Sequence, residues 1–159
     1  MQPGNLRRRN LARIFALIGS ATEPVSRADL ASASGLTKPT VSKLVDELVK
    51  GGLAVEGEAV SGATGRPKIP LALDNYACFG IGLEIMWKRV RAVAVGLNGN
   101  VIARDEFGLD VPNSDYREVV RESALLVRRL REKAEAECSA HGVGPTRFLG
   151  MCVSIPGRR

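Results

Sequence analysis

Up to Lys50 the apolar residues recur at helical spacing in three short blocks, and directly beyond it the period shortens to that of strands. Leu11, Ile14, Phe15 and Ile18 predict a helix from Leu6 to Ser20, closed by the proline of "ATEP". Ser26 and Asp29 have the spacing of a capping box, so a second, very short helix carrying Leu30, Ala31 and Ala33 starts there and stops at Gly35. Val41, Leu44, Val45 and Leu48 stand at i, i+3, i+4 and i+7 and define a third helix. Thr37 is its expected N-cap, and Pro39 falls in its first turn, where a missing N–H breaks no intrahelical bond. "GGLAVEGEAV" ends this helix at Gly51 and Gly52 and opens an alternating strand. A second strand, Ile69 to Leu73, follows the flexible tip "SGATGRPK".

The second half reads differently. "ACFGIGLEI", "VRAVAVGLNGNVIARDEF" and "RFLGMCVSIPG" give four strands, with Asn98-Gly99 turning the chain between the second and third. A long helix from Ser114 to about Ala140 is expected before the fourth strand. Its apolar stripe is Tyr116, Val119, Val120, Leu126, Leu130 and Ala134, and its arginines and glutamates form a solvated face. The expected fold is α+β. Residues 1–75 make three helices and a two-stranded ribbon, a winged helix-turn-helix, and residues 76–159 make a second, sheet-containing domain.

This pattern directs attention to the start of the third helix. With its apolar face turned inward, Lys38, Thr40, Ser42 and Lys43 are left to face outward beside Thr37 and Pro39. In a helix-turn-helix this end enters the major groove of duplex DNA, where lysine reaches guanine O6 or N7 and hydroxyl groups meet base edges, thymine methyls or phosphates. The ribbon tip holds Gly65-Arg66-Pro67-Lys68. An extended arginine there suits a narrow A·T-rich minor groove, and Lys68 is a further candidate contact. Charge agrees without deciding. The net +6 favours an anionic partner but is shared about equally by the two halves.

Composition narrows the setting. Hydrophobic residues make up 45% and charged residues 25%, as in globular proteins. No apolar run approaches the roughly 20 residues of a membrane span. The start "NLRRRNLARIFALIGS" lacks a signal-peptide core, so a cytoplasmic protein with no membrane partner is expected. Cys78, Cys138 and Cys152 are odd in number and form no C-x-x-C pair, which speaks against a disulfide framework or a closed zinc site. Cys138 and His141 could share a helix face but are too few to hold a metal, and both are expected to be ordinary surface residues. No cofactor is expected.

"SRADLASASGLTKPTVSKLVDELVKGGL" together with "GRPKIPLAL" resembles the DNA-binding half of the winged-helix repressors of the ROK group, which comprises repressors, open reading frames and sugar kinases. The resemblance implies operator contacts from Lys38, Thr40, Ser42, Lys43 and Arg66, with Lys68 beside them, and a role in sugar metabolism. It also implies that three strands, a helix and a fourth strand open a ribonuclease H-like, actin-like domain. ROK kinases begin that domain with an Asp-x-Gly-x-Thr phosphate loop, whereas this chain has Gly82-Leu83-Glu84-Ile85-Met86. The aspartate is missing, and Glu84 adds bulk and negative charge where a phosphate would approach, so no enzymatic activity is expected.

The family's sugar-contacting, catalytic and zinc-binding residues follow the stretch matching Ser154 to Gly157, so the chain reads as a fragment or truncation of a longer regulator. A sugar-type effector belongs only to such a longer chain, and a homo-oligomer is expected. Two other readings stay open: a sugar kinase relic, and a winged helix used for protein contacts.

Overall fold

The computed structural model describes residues 3–59, 68–141 and 147–155. They form two compact units, Met1–Asp74 and Asn75–Arg159. In the first, α1 (Pro3–Gly19), α2 (Arg27–Ser34) and α3 (Lys38–Lys50) precede a two-stranded antiparallel ribbon of β1 (Ala54–Glu56) and β2 (Leu71–Leu73). Ile14 and Ile18 of α1, Leu30 of α2, and Val41, Leu44, Val45 and Leu48 of α3 are buried together with Ala54, Leu71 and Leu73 of the ribbon. Each fully buried aliphatic side chain contributes about 1.5–3 kcal/mol by leaving water. The three spacing blocks are therefore what holds the helices against one another.

The second ribbon strand is shorter than its sequence suggests. It begins at Leu71 instead of Ile69, because Pro70 has no N–H to give to a ladder and Ile69 lies exposed. Pairing does extend one step through the carbonyl of Pro70, which accepts a hydrogen bond from the N–H of Gly57 at 2.8 Å. On its other side Leu71 donates its N–H to the Val25 carbonyl at 2.8 Å, tying β2 to the lead-in of α2.

In the second unit β3 (Cys78–Ile85), β4 (Arg89–Gly96) and β5 (Val101–Gly108) form an antiparallel meander, and β6 (Arg147–Ser154) lies parallel to β3, giving the order β5-β4-β3-β6. Gly96 is obligatory where β4 ends, since a Cβ there would stand 2.1 Å from the carbonyl oxygen of Asn75. The helix α4 (Tyr116–Ala140) packs on one face of β3, β4 and β5. Phe79, Ile81 and Leu83 meet Val90, Ala92, Ala94 and Ala103 under Leu126, Leu130, Ala134 and Cys138 of the helix. This mixed α+β arrangement, a winged-helix unit followed by a sheet unit, is the expected fold class.

Two expectations about α4 are corrected. Tyr116 and Val120 are 69% and 64% exposed, and the buried stripe is Val119, Ser123, Leu126, Leu130, Ala134 and Cys138. With Val119 at the centre of the packed face, its neighbours one residue on and three residues back fall on a flank that no described element covers. Cys138, expected at the surface, is fully buried because it lies one turn beyond Ala134 on that same stripe. His141 is exposed, but its ring stacks on Tyr76 at 3.7 Å and its Nδ1–H donates to the carbonyl of Glu137 at 2.8 Å.

Candidate nucleic-acid interface

The site starts with the turn between α2 and α3. The Ser26 N–H donates to Asp29 at 3.0 Å and the Ser26 hydroxyl donates to the same carboxylate at 2.7 Å. The N–H of Asp29 returns to Ser26 Oγ, completing the capping box. Gly35 then closes α2 in the left-handed region at φ 68°, a conformation that other side chains rarely adopt. The chain re-enters α3 two residues later at Thr37. Thr37 has the extended backbone of an N-cap, but its hydroxyl bonds the Thr40 hydroxyl at 2.8 Å and caps no backbone N–H.

All six candidate residues of this segment lie in the turn and the first half of α3. Thr37, Lys38, Pro39 and Lys43 are exposed, and Thr40 and Ser42 are half-buried, while Val41, Leu44, Val45 and Leu48 are held in the core. Among the described residues neither Lys38 nor Lys43 forms an ion pair. Lys38 stands at the end of the helix where the unpaired N–H groups already favour an anion, and Lys43 follows in the second turn. Two candidates remain, Arg66 and Lys68. Arg66 lies outside the described residues. Lys68 is engaged, its Nζ 3.1 and 3.4 Å from the two carboxylate oxygens of Asp29.

The carboxyl of Asp29 is held down to about 2, by the hydroxyl of Ser26 first, then by the Ser26 N–H and by Lys68. Each partner stabilises the ionised form, so the group stays charged well into acid.

Sequence reasoning missed two arginines that border α3. On one flank Arg7 of α1 pairs with Glu47 at 2.8 Å. On the other, Arg27 of α2 donates from Nη1 to the Ser42 carbonyl at 3.1 Å, from Nη2 to Asp46 at 2.7 Å and from Nε to Glu56 at 3.0 Å. Partial burial disfavours the Arg27 charge, but the hydrogen bonds and charges of Asp46 and Glu56 outweigh it and raise its pKa further. No local spacing could have flagged these pairs, because the partners lie between 15 and 40 residues away.

The stretch Gly82-Leu83-Glu84-Ile85-Met86 occupies the end of β3 and the turn after it. Glu84 sits directly opposite Arg91 on β4 and pairs with it. A hollow of about 840 Å³ on this face includes Gly82, Glu84, Arg91, Arg104, Asp105 and Glu106, so that two cations stand among three carboxylates. That balance gives a phosphate group little preference for it.

The pattern that defines the MarR family matches residues 10–63, from within α1 through α2, α3 and β1. An uncharacterized protein of Sinorhizobium fredii, y4fQ, is 30% identical over 133 residues, covering 84% of this chain and 32% of that protein. The xylose repressor of Bacillus spizizenii is 32% identical over 79 residues, 50% of this chain and 21% of the repressor. Among solved structures, a ROK family transcriptional regulator, a homolog of the E. coli MLC protein, aligns with a TM-score of 0.54 at 19% identity. It covers 96% of this chain and 36% of that one. The chain thus spans between about a fifth and a third of the length of the curated relatives it matches.

Proposed function

We propose that this chain, a relative of the ROK-family transcriptional regulators, is the operator-reading part of a sugar-responsive repressor. One observation carries the reading: α3 buries one face completely and presents Lys38, Thr40, Ser42 and Lys43 from its N-terminal half, with both lysines unpaired among the described residues. In the major groove Lys38 and Lys43 reach guanine acceptors or phosphates, and the hydroxyls of Thr40 and Ser42 meet base edges or backbone oxygens. The bond between Thr37 and Thr40 fixes the rotamer of the second hydroxyl before DNA arrives, which lowers the ordering cost of the contact. Pro39 fixes the backbone of the first turn in the same sense.

Arg66 enters the minor groove beside the half-site, where a narrow A·T-rich stretch concentrates negative potential. Lys68 contributes chiefly as a tether to Asp29, which leaves the groove contact to Arg66. The protein acts in the cytoplasm as a homo-oligomer on a two-fold operator, and the sugar-type effector is taken by a longer chain. The protein carries out no phosphoryl transfer, because Glu84 and its partner Arg91 occupy the position of a phosphate loop without the glycine or hydroxyl such a loop uses.

Anisotropy titrations of the chain against duplexes from its own promoter region, at several salt concentrations, test the proposal. Affinity is expected to fall steeply as salt rises, since each lysine or arginine on a phosphate releases condensed counterions. Binding that is indifferent to salt, or absent on every fragment, would remove the DNA reading and leave a protein-contact role for the winged helix.

A further inference from the structure

Arg27 donates three side-chain hydrogen bonds to residues of two other elements, and none of these acceptors is in its own helix. It occupies the first position of α2, directly after the cap residue Ser26. Its guanidinium reaches a main-chain carbonyl in the middle of α3 at Ser42, the carboxylate of Asp46 one turn further along that helix, and Glu56 at the end of β1. Nη2 also lies 2.9 Å from Glu56 Oε1, so all three guanidinium nitrogens are committed. The Arg27 side chain is only 31% exposed.

The main-chain bond sits at Ser42, immediately before Lys43. Two further links leave the lead-in and first turn of α2: the Val25 carbonyl takes the N–H of Leu71, and Asp29 takes Lys68. Residues 25 to 29 therefore fasten α3 on one side and both strands of the ribbon on the other.

We infer that Arg27 is a positioning residue for DNA reading: it sets the orientation of α3 against α2 and β1 and touches no phosphate itself. The inference rests on the DNA-binding function proposed above. Two carboxylates already balance the Arg27 charge, and all three guanidinium nitrogens are bonded, so an approaching phosphate would have to break bonds already made. What Arg27 supplies is a planar fork that serves acceptors on two other elements at once. A lysine ammonium keeps the charge but cannot hold that geometry. Sequence-specific contacts depend on the orientation of α3 to a fraction of an ångström, whereas non-specific contacts to phosphate tolerate small rotations. Loss of the fork should therefore lower specific binding selectively.

The test uses the whole chain, with a duplex selected from a random pool by the wild type and a scrambled duplex of the same length, titrated at several salt concentrations. Arg27→Ala is expected to weaken binding to the selected duplex by about tenfold. Affinity for the scrambled duplex should stay within about twofold, and the slope of log K against log salt should not change. Arg27→Lys should fall between the wild type and Arg27→Ala, and Asp46→Asn and Glu56→Gln should each reproduce part of the loss.

A slope reduced by roughly 0.9 on both duplexes would make Arg27 a phosphate ligand and overturn the inference. So would unchanged affinity for the selected duplex in Arg27→Ala or, should that variant not fold, in Arg27→Lys and Glu56→Gln together. If the wild type itself fails to bind duplex DNA, the proposed function falls first. If the wild type binds and the variants behave as it does, only the role of Arg27 falls.

Discussion

The first unit covers the apolar residues it brings together, whereas the four-stranded sheet of the second leaves one strand open. In the first, the aliphatic residues of α2 and α3 are buried between α1 and the ribbon. In the second, α4 shields β3, β4 and β5 and meets β6 at Phe148, over whose ring Arg131 lies at 4.8 Å, whereas further along Leu149, Met151, Val153 and Ile155 remain between 44% and 67% exposed. The register explains the difference. Met151 and Val153 pair with Ile81 and Leu83, so they share the face that α4 covers further along the sheet and are the next side chains beyond its reach. Burial in the first unit thus fixes the orientation of the polar face of α3, the surface proposed to read DNA, while the second offers an apolar surface whose cover is not among the described residues.

The largest effect expected from this contrast concerns stability. Leu48→Ala, at a position 2% exposed on α3, should destabilise the first unit by about 2–5 kcal/mol, through lost transfer energy and a cavity that α1 and the ribbon cannot fully close. Denaturant unfolding followed by circular dichroism reads this loss. A cost below about 1 kcal/mol would mean that the winged-helix core is far looser than its burial suggests.

DNA binding comes next in size. Lys43→Ala, or Lys38→Ala, should cost about 1–3 kcal/mol on the selected site and relax the preference at one base position. Arg66→Ala should instead weaken binding most where the flanking DNA is A·T-rich, because its contribution comes from groove electrostatics. Sequences recovered from a random pool by each variant separate the two. If Arg66→Ala leaves the flanks untouched and the helix variants change only overall affinity, the assignment of α3 to the major groove and the ribbon tip to the minor groove is wrong.

Much of the first unit was legible because its signals are local. The capping box needs residues three apart, the apolar face of α3 spans two turns, and Gly35 and Pro39 act where they stand. What escaped depends on partners far along the chain. Asp29 holds Lys68 across 39 residues and Arg27 holds Glu56 across 29, so neither the ion pair of the candidate Lys68 nor the several bonds of Arg27 could be read from local spacing. In α4 the spacing gave the correct period, but periodicity cannot say which flank of the stripe a sheet will cover. Tyr116 and Val120 were therefore placed inside and Cys138 outside.

The Asp29 tether predicts a smaller, pH-dependent effect. The carboxyl sits at about 2 when folded, against an ordinary value of 3.8, so its partners stabilise the fold above pH 4. That contribution is lost as the pH falls through the folded value, because the protonated group no longer attracts Lys68 or accepts two bonds from Ser26. Since Asp29 is 41% exposed, solvent screening reduces the contribution to about 1 kcal/mol. Thermal melts between pH 5 and pH 2 should show the first unit of the wild type losing this increment relative to Asp29→Asn. Parallel curves for the two proteins would mean that the box and its lysine hold nothing in solution.

The smallest expected effect tests the open strand. Met151→Lys places a charge on β6 at a position 50% exposed, so it should change stability by no more than about 0.5 kcal/mol, in contrast to Leu48→Ala. It should also lower the binding of an apolar fluorescent dye, because Met151 and Val153 are exposed apolar neighbours on one face of β6 and the substitution removes one of them. The lysine can keep its ammonium in water while its stem lies along Val153, which is why a charge costs so little there. A penalty above about 2 kcal/mol would show that Met151 is enclosed in solution. The difference between the two units would then be one of which surface is covered by contacts outside the single chain, and sedimentation of the variant beside the wild type would reveal whether a second copy supplies them.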